Sequence, residues 1–314
     1  MSELVVFDHV GKKFGESTAL EDVSFSIKTG EIFVLVGSSG SGKTTSLKMI
    51  NALHIPTSGD IYFKNKKIKD YDPQKLRWQI GYVLQQIALF PTMTVLENIE
   101  IIPEMLGWSK EKRKERAFEL LRAVELDPQV YADRMPSELS GGEQQRVGIL
   151  RALAAKPDVM LMDEPFSALD PISREQLQNL VLTLHKDLQN TIVFVTHDMK
   201  EAVKLGDRIA VMKEGHLIQC DTPAEIAAHP ANEFVAEFFK GTDITWQPLQ
   251  AQLAAVVLAG FYTEDTTSDY PTLTLQQTVQ ESLPLLAKNN FRVATDKILT
   301  AANLLSFLAA SQEE

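Results

Sequence analysis

The sequence contains one cysteine, Cys220, in 314 residues. A single thiol cannot close an internal disulfide, so a disulfide-stapled secreted scaffold is excluded and nothing points to an oxidising compartment. Cys220 reads as a small apolar side chain. Long hydrophobic runs are missing too: no stretch approaches the ~20 apolar residues of a membrane-spanning helix. The opening MSELVVFDHV has neither a basic n-region nor an extended apolar h-region, so a cytosolic protein without a signal peptide is expected. Positive charge is scarce. With 31 Lys and Arg against 42 Asp and Glu, the formal charge is −11, the wrong sign for broad nucleic-acid binding. The run KEKRKER at 110–116 does not alter this, because its signs are mixed and AFELLRAVEL continues it as the apolar stripe of a solvated helix. Sustained heptads, internal repeats and low-complexity segments are absent.

What is present is an ordinary globular composition, 44% hydrophobic and 23% charged. The length suits one large domain plus a small one, or two medium ones. LVVFDHV and DVSFSIKTG read as short strands. EIFVLVG, DVMLMDE and TIVFVTHD are apolar runs of the kind buried on both faces, and RIAVMKEGHLIQCD reads as a closing hairpin. TSGDIYFKNKKI reads as another hairpin, with Ser58-Gly59 and Lys64-Asn65 as turn signals. SLKMINAL, residues 94–126 and residues 171–189 have helical spacing. Buried strands alternating with helices predict an α/β sheet covered on its faces.

EIFVLVG runs directly into GSSGSGKTT, and a helix follows. Gly37, Gly40 and Gly42 let the backbone turn so that the amides of Ser38, Ser39, Ser41 and their neighbours point inward at phosphate oxygens. The helix that starts behind them adds its positive end. Lys43 is placed to reach the β- and γ-phosphates, and the Thr44 hydroxyl to ligate Mg2+, with Thr45 beside it. Asp163 closes the strand of VMLMDEP, at the edge where open α/β sheets bind ligands. It can hold Mg2+ through water, and Glu164 can orient or deprotonate an attacking water. His197 ends the next strand on the same edge and is placed to hydrogen-bond the γ-phosphate. Gln85 ends the short strand of GYVLQQ and can contact Mg2+ and the water, a role for which Gln86 competes. Phe14 can stack on adenine. A second glycine loop, LSGGEQQRV at 139–147, leads into another helix.

GSSGSGKT, the glutamine after an apolar strand, LSGGEQQRV, VMLMDEP, SALD and FVTH stand in that order. Over residues 1–240 the chain resembles the ATPase subunits of ABC transporters. The resemblance implies a P-loop NTPase fold of the ABC ATPase type: a RecA-like core sheet, an antiparallel β part and a helical subdomain near 86–155. It also explains two glycine loops in one chain. In that family two subunits pack head to tail, and the phosphate loop of one and the LSGG loop of the other close on the same ATP. Ser140, Gly141, Gly142, Glu143 and Gln144 would serve the partner's nucleotide, and Ser167, Ala168, Leu169 and Asp170 match the loop that crosses the interface. ATP and Mg2+ are the implied cofactors. The implied partners are a second copy, integral membrane permease subunits docking near 85–99, and an extracellular substrate-binding protein. The implied place is the cytoplasmic face of the plasma membrane. Soluble relatives acting in DNA repair carry coiled-coil insertions, and those acting on ribosomes carry two cassettes; this chain has neither.

KMINAL, LRWQIGYVLQQIALFPTMTVLENI, PEMLGWSK, LDPQVYADRMPSELSGGEQQRV, MDEPFSALDPISREQLQ and FFKGTDIT are similar to importers of quaternary amines such as glycine betaine, carnitine, choline and proline betaine. Importers of methionine, polar amino acids or phosphate are the alternatives. The region 241–314 resembles one half of the paired nucleotide-sensing CBS modules found behind some such ATPases, in a single, shortened copy. It reads as a loop (DTTSDYP), a helix interrupted at Pro284, a strand (FRVAT) and a final apolar helix. After residue 250 stand three basic residues, Lys288, Arg292 and Lys297, against seven acidic ones, which disfavours contact with anionic lipid.

Overall fold

The computed structural model describes residues 2–240, 253–258, 260–264, 270–286, 290–294, 297–304 and 306–307. The chain forms two units, Met1–Ile226 with Pro230–Phe238, and Ala227–His229 with Phe239–Glu314. The first unit holds ten strands: β1 (Glu3–Phe14), β2 (Ser17–Lys28), β3 (Ile32–Gly37), β4 (Ser58–Phe63), β5 (Lys66–Lys67), β6 (Ile80–Val83), β7 (Val159–Asp163), β8 (Thr191–Thr196), β9 (Arg208–Lys213) and β10 (His216–Asp221). Its helices include α1 (Lys43–Ile50), α2 (Pro73–Arg77), α3 (Val95–Met105), α4 (Lys110–Ala123), α5 (Pro128–Tyr131), α6 (Gly141–Leu153), α7 (Pro171–Leu188) and α8 (Met199–Leu205).

Two sheets result. The antiparallel one runs β2-β1-β4-β5. The other runs β10-β9-β3-β8-β7-β6 and is parallel from β9 to β6. Every residue of β3, β7 and β8 is buried, which is why these strands are continuous apolar runs without alternation. The strand order decides the site. It sets the carboxyl ends of β3, β8, β7 and β6 side by side, although they are far apart in sequence.

Helix starts follow from local chemistry. Thr94 and Glu97 form a reciprocal capping box on α3, Ser109 caps α4, and Asp170 with Pro171 at the first helical position opens α7. The expected helical stretch 94–126 is two helices, because the chain breaks after Met105 and α4 restarts at the Ser109 cap. Of the expected turn signals in the hairpin, Lys64-Asn65 is a turn with positive φ at both residues. Ser58-Gly59 is not a turn but the start of β4. Gly59 has φ +72, and a Cβ there would meet the backbone carbonyls of Asp8 and His9 at an irregularity of β1. A glycine serves that close strand approach as well as it serves a turn.

The second unit contains the antiparallel sheet β11-β13-β12, from β11 (Thr263–Glu264), β12 (Phe291–Ala294) and β13 (Lys297–Leu299), with helices Leu253–Leu258 and Val279–Leu286. Its core joins Leu253, Val256, Leu273, Val279, Leu286, Val293, Leu299 and Leu304. The expected interruption at Pro284 does not occur; the helix runs through it. Proline removes one helical hydrogen bond, and the burial of Val279 and Leu286 outweighs that in an eight-residue helix. Residues 241–245 of FFKGTDIT and 265–269 of the DTTSDYP loop lie outside the described residues. No helix among the described residues is long and apolar enough to cross a membrane.

Candidate functional site

The loop after β3 is held by its own backbone. Ser41 N–H donates to Ser38 O at 3.2 Å, and Ser38, Ser39 and Gly40 are exposed at its crest. Gly42, with φ +97, precedes α1; a Cβ there would strike the Leu20 side chain and lie 2.7 Å from the Ala19 carbonyl oxygen. Lys43 folds back into the loop, and its Nζ donates to Gly37 O and Ser38 O at 2.9 Å each. Burial holds its ammonium below the usual lysine range, against the opposing charges of Glu164 and Asp163. A desolvated cation held by carbonyls at the start of a helix is a receptor for a polyanion. Thr45 is half-buried on α1.

Thr44 Oγ1 donates to Asp163 Oδ1 at 2.9 Å. Asp163 is 7% exposed, and burial pushes its carboxyl up, with Thr44 and the charge of Lys48 opposing. Among the described residues no group of three or more His, Cys, Asp or Glu is placed to hold a metal. Thr44 and Asp163 supply hard oxygen donors only. That set fits Mg2+, which keeps several waters and takes phosphate oxygens to complete its shell.

Glu164 has φ +45, a left-handed conformation unfavourable for a residue with a Cβ, and its N–H donates to Val195 O at 3.0 Å. This backbone turns its carboxylate towards the end of β8, where Oε2 lies 3.0 Å from His197 Nδ1. Thr196, just before His197, donates to buried Glu201 at 2.6 Å and accepts from Asp198 N–H at 3.0 Å. Burial raises the Glu201 carboxyl. That pair anchors the histidine's segment; the FVTH motif gives Thr196 no role of its own, and Glu201 lies in no motif.

Phe14 is 46% exposed. His54 meets its ring edge-on at 5.2 Å, and Lys12 Nζ stands 4.8 Å from its centroid. Gln85 does not end β6 as expected. It lies two residues beyond Val83 and is exposed, as is Gln86, and it joins none of the contacts above.

The LSGG loop is a helix N-terminus. Ser140 caps α6: its Oγ accepts from Glu143 N–H at 3.3 Å and donates to Glu143 Oε2 at 2.8 Å, and Ser140 N–H donates to Oε2 at 2.7 Å. Tyr131 donates to Glu143 Oε1 at 2.7 Å and holds that carboxylate below its usual range. Gln144 Nε2 returns to Leu139 O at 3.1 Å. These bonds stay within residues 131–144 and reach none of the groups at the ends of β3, β7 and β8. Gly141 is exposed, and a Cβ on Gly142 would lie 3.8 Å from Ser173 Oγ, on the helix that Asp170 caps.

The family model for ABC transporters matches residues 20–167. Over 288 residues the chain is 46% identical to the osmoprotectant import ATP-binding protein OsmV of Salmonella typhimurium, covering 91% of this chain and 73% of that protein. The chain belongs to the ABC transporter family. It is also 51% identical over 256 residues to the carnitine transport ATP-binding protein OpuCA of Listeria monocytogenes, spanning 81% of this chain and only 64% of that relative's length. Against the glycine betaine uptake system ATP-binding protein YehX of Escherichia coli, identity is 38% and coverage 92% of both chains. Among solved ABC structures, a dimeric ATP-binding cassette in a post-hydrolysis state bound to ADP and Pi superimposes with a TM-score of 0.62 at 39% identity. It covers 70% of this chain and 98% of that one.

Proposed function

We propose that this ABC protein is the ATP-hydrolysing subunit of an importer for quaternary amine osmolytes. The observation that carries the reading is the row of groups at the ends of β3, β7 and β8. A buried Lys43 folds back into the glycine loop after β3, Thr44 bonds to Asp163, and Glu164 bonds to His197. ATP is the substrate. Amides of 38–45 and the Lys43 ammonium bind its phosphates, and Phe14 offers its exposed ring to adenine. Mg2+ would be held by Thr44 directly and by Asp163 through water, with Gln85 reaching it from the exposed segment after β6; it would offset phosphate charge. Glu164 positions the attacking water and takes its proton, and His197, oriented by Glu164, donates to the γ-phosphate.

The LSGG loop is for a second copy. Its bonds are local, so Ser140 and the free amides at the start of α6 face outward to a partner's γ-phosphate, with Glu143, Gln144 and Asp170 shaping that surface. Two copies close on two ATP molecules and reopen after hydrolysis.

Membrane coupling has a place as well. A groove of about 790 Å3 lies between β6, α2, α3 and α6, lined by Trp78, Leu84, Phe90, Ile102, Met105 and others. Phe90 and Met105 are 44% and 56% exposed there. An apolar groove of this size suits a short helix of a permease subunit at the cytoplasmic membrane face. An extracellular binding protein would deliver the amine, since no part of this subunit meets it.

The domain reading is an ATPase domain over 1–240 and a small C-terminal domain over 241–314. The latter is a degenerate, single CBS-like module that regulates transport or steadies the dimer. If removing 246–314 left uptake unchanged at every salt concentration, the regulatory role would be wrong.

The deciding experiment is uptake of labelled glycine betaine, carnitine and choline after osmotic upshift, in wild-type cells and in cells carrying Glu164→Gln, with methionine as control solute. Selective loss of amine uptake supports the importer and identifies its cargo. Unchanged amine uptake with lost methionine uptake transfers the ATPase to the methionine class.

A further inference from the structure

Tyr82 lies within GYVLQQ but has no role in the site described above, and it lines the groove beside the strand that carries Asp163. It lies on β6, paired in parallel register with Leu161 of β7. Side chains alternate along a strand, so Tyr82 shares a face with Leu161 and with Asp163 two residues further on, within reach of a long aromatic side chain. Its ring packs against the core that contains Leu161 and lines the apolar groove. Its buried hydroxyl closes no hydrogen bond of ordinary geometry, yet it lies near enough to the Asp163 carboxylate to interact weakly with it. Burial, and next the charge of Asp163 with a hydrogen-bonding interaction to it, push the phenol well above the usual tyrosine range.

A poorly paired buried hydroxyl costs free energy comparable to a lost hydrogen bond, so its position calls for a well-placed acceptor. Asp163 has two carboxylate oxygens. Thr44 holds Oδ1. The Thr44 oxygen can give a lone pair to a metal while its O–H stays on Oδ1, which leaves the second oxygen free to swing. A carboxylate fixed at one oxygen can still rotate out of the plane its outer-sphere contacts require.

We propose that Tyr82 is a positioning residue for Asp163: its hydroxyl donates to the second carboxylate oxygen when the metal–nucleotide complex binds, and so fixes the plane of that carboxylate. This rests on the reading that Asp163 serves Mg2+. Tyr82 then carries an aromatic link from the wall of the groove to the metal end of the site.

The test is ATP binding by the full chain, with Mg2+ and with EDTA, for wild type, Tyr82→Phe, Asp163→Asn and the double variant. Binding rather than turnover is the readout. Tyr82→Phe removes one oxygen and keeps the ring, so binding in EDTA should match wild type, and the unfolding midpoint without nucleotide should be no lower, because a poorly paired buried hydroxyl is removed. The gain in affinity that Mg2+ confers should fall about tenfold, the value of one hydrogen bond to a charged group. In the Asp163→Asn background the same change should add nothing. An unchanged Mg2+ gain in Tyr82→Phe, with the gain lost in Asp163→Asn, overturns the role of Tyr82 and leaves the site reading standing. An unchanged gain in Asp163→Asn overturns both. Equal losses with and without Mg2+ would make Tyr82 merely structural.

Discussion

Glu164, the proposed base for hydrolysis, carries an unfavourable backbone conformation. Such strain costs on the order of 1 kcal/mol or more and persists where the surroundings hold it, here through the bond from Glu164 N–H to Val195 O. Glutamine fills the same backbone and keeps a polar atom for His197. Glu164→Gln is therefore expected to bind ATP as wild type does while losing nearly all steady-state hydrolysis, as read by phosphate release. Retained turnover would assign the base to another residue. Asp163 allows a prediction on stability. Its folded-state pKa is raised, so the fold favours the protonated form. Its favourable contribution is complete below the unfolded aspartate value and is lost as pH rises through the folded one. Asparagine is neutral throughout. Asp163→Asn should raise the unfolding midpoint of the nucleotide-free protein at neutral pH, and the gain should shrink on acidification. A constant difference across pH would show that the carboxylate charge is not the cause. At this scale the motif residues were legible, because phosphate and metal chemistry demand particular side chains at particular spacings. Tyr82 and Glu201 were not, because a tyrosine in a strand and a glutamate on a helix carry no signal until neighbours are known.

The segment between β6 and α3 is shaped by one buried side chain. Asn98, 0% exposed, accepts from Phe90 N–H at 2.8 Å and donates to the carbonyls of Phe90, Met93 and Thr94 at 3.1, 3.0 and 2.9 Å. From the other side Arg151 Nη1 holds Ala88 O at 2.6 Å. The apolar wall around Phe90 is thus built on a polar pin. Asn98→Ala strands several backbone groups, and a cost of ~1–3 kcal/mol is expected in denaturant unfolding. ATP binding should survive in the folded fraction, while association with the membrane subunits weakens. Undiminished assembly would remove this loop from the docking surface. Elements were legible where the pattern was strong: the buried runs became β3, β7 and β8, and the helix expected over 171–189 became α7. Boundaries failed where one residue type serves two purposes, as Gly59 does in a strand and Pro284 within a short helix.

For the whole molecule, the two glycine loops are the main constraint. The hydrogen bonds around Ser140 close on Tyr131 and Leu139 and leave the helix start turned to no group of its own phosphate site. Glu164→Gln protein with ATP and Mg2+ should therefore sediment as a dimer, and with ADP as a monomer. Ser140→Ala should weaken that dimer while leaving the monomer's ATP affinity unchanged. A monomer under both nucleotides would leave the second loop without its role.

By itself the sequence determined the strand–loop–helix of the phosphate site, the acids at the end of VMLMDEP and the α/β class. Each depends on local spacing, on glycine, or on apolar runs that only a two-sided burial explains. The tertiary structure alone decided which ends meet. Strand order β3-β8-β7-β6 is a matter of packing between distant segments, with the antiparallel sheet and α1 sharing one core with a face of the parallel sheet, a non-local choice that no window of residues encodes. That order put His197 3.0 Å from Glu164, Thr44 2.9 Å from Asp163, and Tyr82 between Asp163 and the groove.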